Sequence, residues 1–229
     1  MGAALSSMLA APESLLTFAV VAAIAWVVVK ILSQPKVPRI VVDTSYITEK
    51  QEESKTNRYI YFPRGEGSAG DRVQCYDPAT LQYLGFSPAL KAFDVKEHVA
   101  RARQAQQQWA HSSFEQRRQF LRVLMRYVVE NQDLICRVSA RESGKVLVDA
   151  GFGEILTTCE KIAWLLSEGE KYLKPEYRSV GRTMMHKVAR VEFEPAGVIG
   201  AIVPWNYPFH NVLNPVLSAV FSGNAAVIK

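Results

Sequence analysis

Cysteine is scarce: Cys75, Cys136 and Cys159 are the three in 229 residues. They are odd in number and far apart. No disulfide framework, CxxC pair or Cys/His metal cluster can be built from them, and they fit a reducing compartment. Gly (13) and Pro (11) are present in ordinary numbers, which excludes collagen-like and low-complexity chains. With 48% hydrophobic and 21% charged residues the chain is not a disordered one. At roughly 150 residues per domain it holds one or two domains. Two phosphate-loop patterns are also lacking. Gly144-Lys145 has Ser139 and Val146 where a Walker loop needs Gly and Ser or Thr. Gly151-x-Gly153 has Leu156 at its third position and precedes a helix with no strand before it.

One composition shift stands at the start. The run from Leu15 to Leu32, LLTFAVVAAIAWVVVKIL, has Lys30 as its only charge. As a helix it covers about 27 Å, near the ~30 Å of a hydrocarbon core. Lys30 and Trp26 lie toward one end, where an ammonium snorkels and an indole sits at headgroups. The expectation is a single-pass membrane anchor over residues 1–34. Lys30, Lys36 and Arg39 all follow the run, so the remainder is placed in the cytosol, on an endomembrane such as the endoplasmic reticulum. A cleaved signal peptide fits less well, because Glu13 and no Lys or Arg precedes the run. Gly2 and Ser6 also fit a myristoylation signal.

Residues 35–58 read as a Pro-broken, polar linker. RVQCYDPATLQYL, from residue 72, reads as a hairpin turning at Asp77-Pro78. Helices follow. Asp94 with Glu97, and Ser113 with Gln116, are capping-box pairs. Val95, Val99, Ala102 and Trp109 share a face, as do Phe114, Leu121, Leu124 and Val128. A short helix stops at Ser143-Gly144, and Phe152, Ile155, Cys159, Ile162 and Leu166 make the stripe of the next. HKVARVEFEP alternates like a strand. GVIGAIV, from Gly197, is the continuous apolar run of a strand buried on both faces. PWNYP breaks it, a helix with Leu213, Val216, Leu217 and Val220 on one face follows, and Gly223 ends it. A second apolar strand runs from Ala225. Strand, loop, helix, strand is the opening unit of a parallel α/β sheet.

The stretch from Lys91 to Lys145 carries 11 Lys or Arg against 6 Asp or Glu, and Arg118, Arg122 and Arg126 recur on one helix face. It has no interleaved aromatics and no nucleic-acid fold signature, so it reads as a solvated face and no nucleic-acid partner is expected. The loop PWNYP is the stronger signal. Ligands of open α/β sheets bind beyond the carboxyl ends of strands. Asn206 therefore sits where a side-chain amide donates to a reacting oxygen. A Pro-rich turn whose Asn caps the next helix is the plain alternative.

EPAGVIGAIVPWNYPFHNVLNPVLSAVFSGNAAVIK resembles the first strand, catalytic loop, helix and second strand of the NAD(P)-dependent aldehyde dehydrogenases. RVQCYDPATLQYLGFSPA and FEQRRQFLRVLMRYVVENQDLICRVSARESGK resemble that family's N-terminal hairpin and helices. The anchor together with CEKIAWLLSEGEKYLKPEYRS resembles its membrane-anchored plant and fungal branch. The resemblance implies an α/β fold: an N-terminal transmembrane helix, a β-hairpin and helices, then the first strands of an incomplete Rossmann-like parallel sheet. Residues 59–229 would form part of the NAD(P)-binding domain. It implies Asn206 as oxyanion donor, and Ile202, Val203, Pro204 and Trp205 as lining of an NAD or NADP cleft. Lys229 would bond the cofactor ribose. An aldehyde is the implied substrate, oxidised to an acid through a cysteine thioester, and the parent protein is implied to be a homo-oligomer. The cysteine nucleophile and glutamate base of the family match neither Cys75, Cys136 and Cys159 nor Glu154, Glu160 and Glu168. The chain is expected to be inactive alone, as an N-terminal fragment. A non-catalytic, membrane-tethered scaffold is the alternative.

Overall fold

A computed structural model describes residues 12–33, 36–43 and 72–229. The myristoylation pattern at Gly2 and Ser6, and residues 44–58 of the expected linker, lie outside the described residues. The chain divides into two units, Met1–Val37 and Pro38–Lys229.

The first unit holds helix α1, Pro12–Leu32. The helix expected from the apolar run is there, but the membrane anchor is not supported. Among the described residues no helix is long and apolar enough to cross a membrane. The transmembrane element of the fold class and the single-pass endomembrane location are corrected accordingly.

The second unit is the α/β body. Strands β1 (Arg72–Tyr76) and β2 (Tyr83–Pro88) form the expected antiparallel hairpin, with a bulge between Cys75 and Tyr76. Its turn is tied by the Asp77 carboxylate, which accepts from the backbone N–H groups of Ala79 and Thr80 at 2.8 and 3.2 Å. Helix α2 covers Ala92–Trp109. Asp94 is not its N-cap but its third residue. The carboxylate reaches back to the N–H of Lys91 at 2.8 Å. Helix α3, Phe114–Glu130, starts as its sequence says: Ser113 and Gln116 exchange both bonds of a capping box. Helix α4, Gln132–Ser143, stops at Gly144 with φ +76°, a left-handed conformation that glycine adopts without penalty.

Helix α5 is built of three consecutive pieces, Leu147–Ala150, a π-helical turn Gly151–Leu156, and Thr157–Ser167. The π-turn accommodates an extra residue and shifts the phase of the helix. Phe152, expected on the buried stripe, is therefore 63% exposed, and Glu154 and Thr158 take buried places above Ile162 and Leu165. Short strands β3 (Glu176–Arg178) and β4 (Ala189–Val191) pair antiparallel. Strand β5 (Val198–Ala201), helix α6 (Pro208–Phe221) and strand β6 (Ala225–Ile228) complete the expected unit, with β5 and β6 parallel. These two strands are half-buried rather than covered on both faces. Each has one partner strand among the described residues.

The core lies between α3, α5 and α6, where Leu121, Ile162, Leu165, Leu217 and Phe221 pack together. Side chains from α2 and α3 take the carbonyls at the end of α6. Trp109 Nε1 donates to Val220 O at 2.8 Å, Gln106 Nε2 to Gly223 O at 3.2 Å, and Arg117 Nη1 to Phe221 O at 3.1 Å. Arg117 also donates to Ala110 O at 3.0 Å and to Ser112 Oγ at 2.9 Å. Gly223, at φ +83°, passes so close that a Cβ there would meet Arg117 Nη2 at 2.8 Å. Arg117→Met keeps the apolar stem but strips the Phe221 and Ala110 carbonyls of their donor. It should cost about 2–4 kcal/mol, read by urea denaturation. A loss below about 1 kcal/mol would mean that water replaces the guanidinium.

Candidate functional site

Residues 202–207 leave the carboxyl end of β5 and enter α6, at the edge where an open parallel sheet presents its ligand crevice. The ladder between β5 and β6 continues into this edge. Lys229 N–H donates to Ala201 O, and Val203 N–H donates to Lys229 O, both at 2.9 Å. Lys229 therefore stands beside Val203, although the two are separated by a whole helix in sequence. Ile202 is 85% exposed and Trp205 74% exposed; Pro204, Asn206 and Lys229 are exposed as well, and Val203 is half-buried. All six residues singled out by sequence thus gather around the ends of one strand pair.

Asn206 does not cap α6. The residue preceding that helix is Tyr207, with no side-chain cap, and Pro208 occupies the first turn, where its missing N–H and fixed φ are no cost. The Oδ1 of Asn206 accepts instead from Asn211 Nδ2 at 3.1 Å. The same Asn211 nitrogen donates to Pro204 O at 3.2 Å.

The inner side of this loop is held by a buried polar cluster that pattern reading did not find. Glu154 is fully buried on the π-turn. Its Oε2 accepts from the backbone N–H of His210 at 2.8 Å, so a carboxylate from α5 satisfies a free N–H of α6's first turn. Its Oε1 accepts from Lys145 Nζ at 2.8 Å and from Ser139 Oγ. Lys145, its side chain 8% exposed, also places its ammonium 3.7 Å from the centre of the Tyr207 ring. Tyr207 Oη donates to Asp149 Oδ1 at 3.0 Å, a bond that holds the phenol proton on and its pKa up. Thr158 Oγ1 and His210 Nδ1 lie 3.1 Å apart. The only sequence trace of this cluster is Gly151-x-Gly153, whose second glycine clears space for Tyr207. A Cβ on Gly153 would stand 2.1 Å from Tyr207 Cε1.

Residues 66–229 match the sequence profile of the aldehyde dehydrogenase family. The chain belongs to that family. It is 46% identical over 160 residues to an aldehyde dehydrogenase-like protein of Saccharomyces cerevisiae, which covers 69% of this chain and 25% of that protein. An aldehyde dehydrogenase-like protein of Schizosaccharomyces pombe is 43% identical over 157 residues, 69% of this chain and 30% of its own length. Among solved structures, the aldehyde dehydrogenase of Mycobacterium tuberculosis complexed with NAD+ superposes with TM-score 0.63 at 27% identity, over 72% of this chain and 34% of that one. The NADP-dependent glyceraldehyde-3-phosphate dehydrogenase of Bacillus halodurans, complexed with NADP, gives 0.63 at 28% identity over 71% and 34%. The chain thus spans about a quarter to a third of the length of these relatives. The family match begins at residue 66, beyond α1. The narrower kinship with a membrane-anchored branch is corrected, since it leaned on the apolar run and no described helix is a membrane span. The homo-oligomer implied by the resemblance finds no support in this single chain.

Two of the thiols are held away from the reactive thiolate form by their surroundings. Burial pushes the Cys136 thiol up, helped by the nearby Asp133 and Glu154 carboxylates, and burial does the same to Cys159. Both line a surface cavity of about 650 Å³ with Leu147, Phe152 and Leu156, and no residue of the 202–206 loop borders it. Among the described residues no three His, Cys, Asp or Glu side chains are grouped to hold a metal.

The two glycines of the π-turn should respond in opposite ways. Gly153→Ala drives a methyl into the Tyr207 ring and should cost about 1–3 kcal/mol. Gly151→Ala meets nothing within 4 Å and should be neutral or add up to about 1 kcal/mol from helix propensity. Urea denaturation of both variants checks this; equal effects would show that Tyr207 is not packed against the turn.

Proposed function

We propose that this chain supplies the oxyanion donor and one wall of the cofactor cleft of an NAD(P)-dependent aldehyde dehydrogenase. Asn206, exposed at the strand ends with its Oδ1 occupied by Asn211, is the observation that carries the reading. In this reading residues 59–229 are part of the NAD(P)-binding domain, and the thiolate and the base come from outside these 229 residues.

The chemistry asks little of the chain beyond position. A cysteine thiolate forms a C–S bond to the aldehyde carbon, and the carbonyl electron pair moves onto oxygen. Asn206 Nδ2 donates to that oxyanion and lowers the barrier to attack. NAD or NADP, when bound, supplies the acceptor for the aldehyde hydride. Ile202, Val203, Pro204 and Trp205 present an apolar wall, and Ile202 and Trp205 have most of their surface still unburied. That surface suits a flat heterocycle and keeps water from it. The Lys229 ammonium carries only donors, which fits the hydroxyls of a ribose. Its position beside Val203 puts donor and wall on one edge.

A scaffold that binds through the basic stripe has no comparable support. Arg118 pairs with Glu170, Arg122 with Glu115, and Arg126 with Glu130.

In the full-length enzyme Asn206→Ala should slow acylation by about 100- to 1,000-fold while cofactor affinity stays unchanged. Single-turnover formation of NAD(P)H measures the first and cofactor titration the second. Acylation at the wild-type rate would remove Asn206 from the mechanism. The 229-residue chain by itself should oxidise no aldehyde.

A further inference from the structure

Asn211 stands in the first turn of α6, where its backbone N–H makes the helix's first bond, to Tyr207 O at 2.9 Å. Its side chain turns back over the loop. One nitrogen, Nδ2, lies 3.2 Å from Pro204 O and 3.1 Å from Asn206 Oδ1. The chemistry of the first contact decides the second. A backbone carbonyl only accepts, so the end of Asn211 that faces Pro204 must be its NH2. That NH2 has two protons, one for each oxygen. Asn206 must then turn its own oxygen toward Asn211, and its NH2 faces the open side of the loop. The orientation of the pair is thus fixed by a backbone carbonyl, which can only accept. Among the described residues Asn206 makes no other hydrogen bond that would hold it either way.

We propose that Asn211 is a positioning residue that sets the orientation of the Asn206 amide, so that Nδ2 and not Oδ1 faces the oxygen of the reacting aldehyde. This rests on the reading of Asn206 as oxyanion donor. The orientation matters because the two ends of an amide have opposite effects. Nδ2 stabilises a developing oxyanion, whereas Oδ1 would set a lone pair against it. Asn206 is exposed, and without a partner its amide would populate both orientations. Asn211 removes that freedom through two bonds within the segment that joins β5 to α6. Pro204, Asn206 and Asn211 form one short relay from backbone to reacting atom.

The test uses the full-length enzyme and single-turnover acylation. Asn211→Ala frees the Asn206 amide to rotate, so the competent fraction falls and the rate drops about 2- to 5-fold. Asn211→Asp puts an acceptor where a donor stood. Its carboxylate attracts Asn206 Nδ2, turns the amide over, and should cost nearly what losing the oxyanion donor costs, about 100- to 1,000-fold. Aldehyde KM and cofactor affinity should stay within about 2-fold in both, since Asn211 meets Pro204 only at its backbone carbonyl and leaves the apolar side chains of the wall in place. In an Asn206→Ala background neither substitution should slow acylation further. An Asn211→Asp enzyme no slower than Asn211→Ala overturns the proposal. So does a further loss in the Asn206→Ala background, because the effect would then be the new charge or the fold and not the amide. Should Asn211→Asp fail to fold, Asn211→Ala with and without Asn206→Ala decides by the same criterion. Wild-type acylation in Asn206→Ala alone sinks the oxyanion reading itself, and a slow Asn206→Ala with additive Asn211 effects sinks only the relay.

Discussion

A single buried carboxylate sets where the loop of residues 202–207 lies. Glu154 is removed from water entirely, and an ion of that size is expensive to bury unless it is paired and both its oxygens accept hydrogen bonds. Its three donors come from separate places in the chain: Ser139 on α4, Lys145 just beyond it, and the backbone of His210 on α6. Moving α6 away would leave the charge with an unpaired oxygen. Removing Lys145 would leave it without a counter-charge, which in a dry site costs several kcal/mol. The carboxylate thus couples the helical layer to the first turn of α6, and through it to the residues that precede that turn.

The other end of α6 is fastened by the opposite chemistry. Its final carbonyls receive an indole N–H, a side-chain amide and a guanidinium. An anion at the N-terminus and a cation at the C-terminus both oppose the helix macrodipole favourably. Burial lowers the Arg117 pKa, yet a guanidinium stays charged at any ordinary pH. The apolar stripe of α6 supplies packing against Leu121, Ile162 and Leu165, but packing alone permits sliding. The polar contacts at the two ends remove it.

How much of this was legible in the sequence depended on how local each interaction is. The capping box at Ser113, the stop at Gly144 and the Asp77 turn rest on neighbours a few residues apart, and the strand–loop–helix–strand unit shows as consecutive local runs even though its two strands pair 27 residues apart. The stripe through Phe152 failed because a π-turn changes the helical period and composition does not announce one. Asp94 was displaced by three residues for a similar reason, since a carboxylate serves an N-cap equally from the third helical position. The role of Glu154 was out of reach. Its bond to His210 joins residues 56 apart, and a glutamate inside a helical pattern reads as surface. The half-exposure of β5 and β6 was misjudged because an apolar run reports what a strand can bury, not how many partners it has. The apolar run at the N-terminus did become a helix, α1, but hydropathy alone did not make it a membrane span.

The loop therefore has two sides with different duties. Tyr207 and His210 point their polar groups toward Asp149, Thr158 and Glu154, and Gly153 yields the space the Tyr207 ring needs. Ile202, Trp205, Asn206 and Lys229 stay exposed. A hydrogen-bond donor stabilises a transition state only if it does not have to reorganise as charge develops. An exposed asparagine on a mobile loop would not meet that condition. Here the backbone around it is pinned from within, by the ring of Tyr207 on one side and the first turn of α6 on the other. The groups proposed to act can remain open to ligands because the fixing groups next to them in sequence are not.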